Sequence, residues 1–269
     1  MAENITEFTN WKADSQSFDS VAEYYHAYRP GYPTELIEEI IQLSGIQPDG
    51  SILEIGGGTG KATLLFAQKG FSILCLEPGQ NLLKVAERNL AAYPRVRFVK
   101  ARFEEWDGEH LKFDLVISAQ AYHWVPEGVR YAKTASILKE RGYLAAFWNM
   151  YPGMDHKIRE ALDKVYRQRA PELAKTPKSM NETTESIANS IRSSGYFENV
   201  VVRKYPWSLR YSTKEYLGLL NTYSDHLRLS ERKRSRLFGD IAEVLDQNGG
   251  YIDRPYLSIV YLAQRRAGP

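Results

Sequence analysis

Ile52-Leu53-Glu54-Ile55-Gly56-Gly57-Gly58-Thr59-Gly60, followed by Ile73-Leu74-Cys75-Leu76-Glu77, decides how this chain reads. The first stretch is an apolar run containing an acid that opens into four glycines within five residues. The second is another apolar run that ends on an acid. Short apolar runs bounded by turn residues read as buried strands. A strand, a tight glycine loop, a helix and a second strand ending in a carboxylate form the nucleoside-binding half of a doubly wound sheet.

The glycine spacing selects among three ligand readings. A dinucleotide loop needs Gly-x-Gly-x-x-Gly. Counted from Gly56, its third glycine falls on Lys61. A triphosphate loop needs a glycine five residues before Gly60 and Ser or Thr after the lysine. Those places hold Ile55 and Ala62. The spacing Glu-x-Gly-x-Gly-x-Gly is satisfied by Glu54, Gly56, Gly58 and Gly60. On these residues the chain resembles the class I S-adenosylmethionine-dependent methyltransferases. A carboxylate beside the loop suits a ligand with a cationic amino group and sulfonium, and repels polyphosphate.

The bulk composition fits an ordinary globule. The chain has 269 residues, 43% apolar and 25% charged, with a net charge of +2. That length accommodates an α/β domain with an insertion. The small net charge gives no pull toward nucleic acid or membrane. The single cysteine, Cys75, lies inside an apolar run, so an internal disulfide is excluded and a core role expected. The first residues are acidic and polar, unlike a secretory signal. No apolar run approaches the ~18 residues of a membrane span. A cytoplasmic location is the expectation. No His-x-x-x-His pair or tight acidic cluster predicts a metal.

Periodicity predicts helices over 18–28 and 34–43, separated by Arg29-Pro30-Gly31-Tyr32-Pro33. Residues 1–16 read as peripheral. Strands are expected at 51–55, 72–76, 96–100, 113–118 and 142–149. Helices are expected at 61–68, around 82–90 and at 127–138. The alternation implies a mostly parallel, doubly wound sheet of Rossmann-like type. Further along, helices are expected at 156–169 and 185–194, and strands at 199–209 and 251–263, seven strands in all. Ser212-Thr213-Lys214-Glu215 fits a capping box. Ser230 starts another helix, stopped by Gly249-Gly250. The reading is one methyltransferase domain over 1–269, with an N-terminal helical lid at 1–45, a cofactor-binding core at 46–150 and a helical cap at 213–248 inserted between the last two strands.

Ligands of open α/β sheets sit beyond the carboxyl ends of the strands. After the first strand, Glu54, Gly56, Gly57, Gly58 and Gly60 are cofactor candidates. Glu77, with Pro78 beside it, is placed to accept the ribose hydroxyls. The resemblance implies that Arg102 and Phe103 border the adenine and that Ala119 and Gln120 touch the cofactor. The stretch Tyr122-His123-Trp124 is similar to one in small-molecule methyltransferases of the trans-aconitate kind, where it runs toward the methyl acceptor. His123 is the candidate general base, since its ordinary pKa is near neutrality; a loop-shaping histidine is the equal alternative. Tyr25, Arg29, Tyr122, Trp124, Trp148 and Tyr223 are the acceptor candidates, with Asp225 and His226 possible cap residues. Tyr25, Arg29 and Tyr32 belong to a Tyr-Arg-Pro-x-Tyr-Pro pattern that the same subgroup carries. The run Arg232-Lys233-Arg234-Ser235-Arg236 is flanked by acids and reads as a solvated helix face.

The expected function is S-adenosylmethionine-dependent methylation of O, N, S or C on a small molecule. The absence of an Asn-Pro-Pro-Tyr type motif at 118–121 speaks against methylation of DNA bases or glutamine. Methylation of protein or RNA and an NAD-dependent oxidoreductase remain alternatives. The acceptor and the oligomeric state stay open.

Overall fold

The computed structural model describes residues 18–108, 110–174 and 180–267. The part of the expected lid at 1–17 lies outside the described residues. A short helix, α1 (Ala22–Tyr28), is followed by α2 (Thr34–Ser44), whose Leu36, Ile37 and Ile40 are fully buried. Burying side chains of this size stabilises by about 1.5–3 kcal/mol each. Then come β1 (Ser51–Ile55), α3 (Lys61–Ala67), β2 (Ser72–Leu76), α4 (Gln80–Asn89), β3 (Val96–Val99) and β4 (Phe113–Ala119). A 3-10 turn at Tyr122–Trp124 leads to α5 (Glu127–Ile137) and β5 (Leu138–Met150).

The later part of the chain holds α6 (His156–Arg169), α7 (Met180–Ser193) and β6 (Phe197–Ser212). It continues through α8 (Thr213–Leu220), α9 (Ser224–Leu227), α10 (Glu231–Gln247) and β7 (Tyr251–Arg265). The expected capping box is present at the start of α8. Ser212 accepts from the Glu215 backbone, and the Glu215 carboxylate accepts from the Ser212 backbone at 2.8 Å.

The seven strands form one mixed sheet in the order β3-β2-β1-β4-β5-β7-β6. The pairs β1/β2, β1/β4, β2/β3 and β4/β5 are parallel, and β7 is antiparallel. The doubly wound, mostly parallel sheet expected from the alternation is therefore present. Strand β1 is buried on both faces, which explains its unbroken apolar sequence.

Boundaries of four elements differ from the sequence reading. Strand β5 begins at Leu138 rather than 142, because Leu138 already pairs with Phe113 before a register shift. Arg141, in the left-handed region at φ 61°, lies within that shift. Helix α7 starts at Met180 rather than 185. Strands β6 and β7 each extend beyond their apolar stretches, since a strand is defined by its ladder and not by its hydropathy.

The chain packs as two compact units, each discontinuous in sequence. The first contains residues 18–30, 150–174 and 206–257. Its core is built from Leu162, Tyr166, Leu219, Leu237, Ile241 and their neighbours. The second contains residues 31–149, 180–205 and 258–267, with a core around Ile37, Ile52, Phe66, Leu115, Ile117 and Phe147. The boundary at Pro30 and Gly31 falls within the expected break between the first two helices. The stretch expected as a lid is thus divided, residues 18–30 in the first unit and 31–45 in the second.

Candidate functional site

The second unit gathers the ends of β1, β2 and β4. Strand β1 delivers the glycine loop, and its first N–H groups are tied down: Gly56 and Gly57 donate to the Leu76 carbonyl at 2.9 and 3.2 Å. Gly56 lies in the left-handed region at φ 71°, and a Cβ there would collide with Ala121. Gly57 has an ordinary backbone, but a Cβ there would strike the Cys75 sulfur. The loop is bare because neighbours from β2 and from the segment after β4 lean directly on its backbone. Asn89 of α4 adds a hydrogen bond to the Thr59 carbonyl at 3.0 Å.

Glu77 ends β2 nearly buried, with two backbone N–H groups fixing its orientation. Gly58 donates to Oε2 and Gly79 to Oε1, both at 2.8 Å. An ionised carboxylate offers about four acceptor sites, so it can receive further hydroxyls. Pro78, half-buried, forms the corner between Glu77 and Gly79. Glu54 is fully buried beneath the loop, and its Oε2 accepts from the Thr63 hydroxyl at 2.5 Å. Burial, aided by the charge of Glu77 and opposed by the Thr63 hydrogen bond, raises its pKa from 4.5 to about 7. Its Oε1 has no hydrogen-bond partner among the described residues. Burial likewise pushes the Cys75 thiol well up, which leaves it an inert core group.

After β3, Phe103 is buried with the Lys133 ammonium 5.6 Å from its ring centre, and Arg102 is half-buried. After β4, the Ser118 hydroxyl donates to the Ile55 carbonyl at 2.8 Å, locking β4 to the end of β1. Ala119 closes the strand. Gln120 takes a left-handed turn at φ 58°; its N–H donates to Phe147, and its Oε1 accepts from the Asn149 N–H at 2.7 Å. The sequence reading put Gln120 on the cofactor; in the structure its side-chain carbonyl is engaged in joining β4 to β5.

The aromatic stretch divides into two kinds of residue. Tyr122 is buried, and its hydroxyl meets Thr134 Oγ1 at 2.9 Å and the Arg130 carbonyl at 3.2 Å, so it anchors the 3-10 turn to α5. His123 is half-buried, and its Nδ1 accepts from Trp148 Nε1 at 3.1 Å. That bond places the imidazole proton on Nε2. Burial first, and then the Arg130 charge, depress its pKa from 6.5 to about 3. His123 is therefore a neutral ring whose basic nitrogen is already engaged, which fits the loop-shaping alternative better than the general base. Trp124 lies against it, ring centres 4.8 Å apart. Trp148, buried at the end of β5, meets Tyr261 edge-on at 5.6 Å.

The other acceptor candidates belong to the first unit. Arg29 donates to Thr222 Oγ1 at 2.7 Å and to the Thr222 carbonyl at 2.8 Å. Its guanidinium lies over the rings of Tyr223 at 4.5 Å and Tyr25 at 5.2 Å. His226, named from the sequence as a cap residue, is fully buried between Asp225 at 2.6 Å and the Tyr166 hydroxyl at 2.9 Å. The basic run at 232–236 lies mostly exposed on α10, with Lys233 paired to Glu172.

Two residues important to the site were not singled out from the sequence. Thr63 is the hydroxyl that meets Glu54. Asn149 accepts from Ser258, donates through its side chain to the Gly31 carbonyl at 2.8 Å, and holds Gln120. Thr63 was findable, since a Thr on the first turn of a helix after such a loop faces back toward the strand. Asn149 carried no local signal. Among the described residues no three His, Cys, Asp or Glu side chains gather as a metal site, and no helix is long and apolar enough to cross a membrane.

Comparison with known proteins bears on the same segment. Residues 52–142 match a family model described as a methyltransferase domain. An uncharacterized methyltransferase of Mycobacterium tuberculosis is 30% identical over 135 residues, 50% of this chain and 53% of that protein. A "Probable S-adenosylmethionine-dependent methyltransferase" of Saccharomyces cerevisiae is 30% identical over 57% of this chain and 53% of its own length. The chain thus spans about half the length of these curated relatives. Among solved structures, a "Putative Type II Methyltransferase" from Anaeromyxobacter dehalogenans has a TM-score of 0.61 at 23% identity, covering 89% of this chain and 97% of that one. That likeness bears on the fold. With the sheet order, the glycine loop and its two acids, the segment 52–142 is similar to the methyltransferase domain that this family model describes.

Proposed function

We propose that this chain binds S-adenosylmethionine on the glycine loop and transfers its methyl group to a small-molecule acceptor. The observation that carries the reading is Glu77. A carboxylate at the end of β2 is held in a fixed orientation by the N–H groups of Gly58 and Gly79, at the rim of a glycine-rich loop. The residues fit a cationic nucleoside on two further counts. A Cβ at 56 or 57 has no room, and the buried Glu54 Oε1 lacks a partner among the described residues.

Glu77 would accept the ribose hydroxyls, and the loop backbone at 56–60 would admit the amino-acid end. Arg102 and Phe103 would border the base. When bound, the cofactor supplies an electrophilic methyl group on sulfur. Displacement at that carbon needs positioning of a nucleophile more than proton transfer. His123 suits this division of labour. It stays neutral, orients Trp148 through Nδ1, and removes no proton, so the acceptor must present its own lone pair. A solved Haemonchus contortus N-methyltransferase in complex with phosphomonomethylethanolamine and S-adenosylhomocysteine shares the fold, with a TM-score of 0.54 at 14% identity over 97% of this chain and 61% of that one. The precedent supports a small acceptor and leaves its identity open.

Calorimetric titration with S-adenosylhomocysteine and, separately, NADH tests the reading. The expected result is binding of the first alone, weakened at least tenfold in Glu77→Ala, about 1.5–3 kcal/mol for hydrogen bonds to a charged group. Binding of NADH alone, or an unchanged affinity in the variant, overturns it.

A further inference from the structure

Among the described residues, the first unit holds a buried arginine with no ion-pair partner. In β7 the burial alternates: Asp253 is exposed and pairs with Arg210 at 2.7 Å, while Ile252, Arg254 and Tyr256 face inward. Arg254 is 1% exposed. Its guanidinium sits 3.9 Å from the ring centre of Tyr151, 5.5 Å from Tyr256 and 5.8 Å from both Tyr216 and Tyr223. One hydrogen bond is made, from Nη2 to the Tyr223 hydroxyl at 2.8 Å. Among the described residues Nε and Nη1 have no hydrogen-bond partner, and neither has the buried Tyr151 hydroxyl. The Tyr216 hydroxyl lies within hydrogen-bonding reach of the guanidinium as well, while Nε and Nη1 stay unsatisfied.

Among the described residues of the unit, no contact supplies the missing negative charge. Asp225 is engaged by His226, and Asp253 by Arg210. Burial pushes the phenols of Tyr151, Tyr216 and Tyr256 upward, so they remain neutral. Guanidinium is always charged, and a buried charge is normally paired. Ring faces attract a cation but leave its N–H hydrogens unused.

We propose that Arg254, with the Tyr151 hydroxyl beside it, forms a binding site for a small carboxylate. A carboxylate accepts hydrogen bonds from guanidinium N–H groups in the plane of the fork. Its single charge matches the single unpaired cation, whereas the second charge of phosphate finds no partner, Arg29 being committed to Thr222. The site is built wholly from residues 151–256 of the first unit and does not depend on methyl transfer.

Calorimetric titration of the full chain with sodium acetate, and with sodium phosphate at matched ionic strength, tests it. Acetate binds the wild type one to one, and phosphate at least tenfold more weakly. Arg254→Lys, which keeps the charge and loses the fork, weakens acetate at least tenfold, and Arg254→Met abolishes binding. Circular dichroism checks that each variant folds, and the lysine variant decides if the methionine variant does not. Titration with S-adenosylhomocysteine in parallel reports the Glu77 site, so the two readings fail separately. No heat with acetate in the wild type, unchanged affinity in Arg254→Lys, or phosphate binding as tightly as acetate overturns the proposal.

Discussion

Gly57 is bare for a steric reason and not a conformational one. Its backbone is ordinary, and the Cys75 sulfur occupies the place of a Cβ. Gly57→Ala therefore overpacks the loop, at about 1–3 kcal/mol. Cys75→Ala removes the obstructing sulfur, so the double variant should lose less stability than the two single losses added together, measured by urea denaturation. Strict additivity would mean that the sulfur is not what excludes the methyl group. Glu54 makes a second test at this scale. Its folded pKa of about 7 lies above the ordinary 4.5 because it is buried. Between those values the unfolded chain ionises while the folded one keeps its proton. Its contribution is thus fully present below pH 4.5 and is lost as pH rises through 7, by about 3 kcal/mol. Glu54→Gln lacks that slope. Urea midpoints across this range should show the wild type losing stability relative to the variant, and parallel curves would contradict the raised pKa.

Among the elements, α8 shows local chemistry at its most legible. Ser212 and Glu215 satisfy each other's backbone N–H groups, and either single alanine substitution should cost about 1 kcal/mol. The double variant should cost little more than one single, because each half of the box holds the other in place. A double loss equal to the sum of the singles would show two independent caps. Strand β7 is legible in a different way. Its period-2 burial sends Asp253 outward and Arg254 inward, so an arginine between two inward apolar residues signals a buried charge. The 3-10 turn at Tyr122–Trp124 carried no such signal. It exists because Tyr122 reaches Thr134 on α5 and Arg130 donates to the carbonyls of His123 and Val125.

Across the whole molecule, two separate cores predict separable energetics. Leu115 and Leu237 are both fully buried and belong to different core clusters. Each Leu→Ala change should cost about 2–5 kcal/mol. The double variant should match the sum within about 0.5 kcal/mol, as sites without common partners do. A larger deviation in global denaturation would show that the cores are coupled.

Contributions at this scale divide along a physical line. The strand–loop–helix unit, both acids and the order of alternating elements were written in the chain, because each depends on partners a few residues away: strand period, glycine spacing, cap and box. The same locality made Cys75 readable as core. What only the tertiary structure decided depends on residues distant in the chain. The neutrality of His123 comes from burial and the charge of Arg130, the fixing of Gln120 from Asn149, the division at Pro30 and Gly31 from two cores, and the unpaired charge of Arg254 from its burial among tyrosines on four different segments. Hydrogen bonds and desolvation are properties of neighbourhoods, and a neighbourhood exists only once the chain has folded.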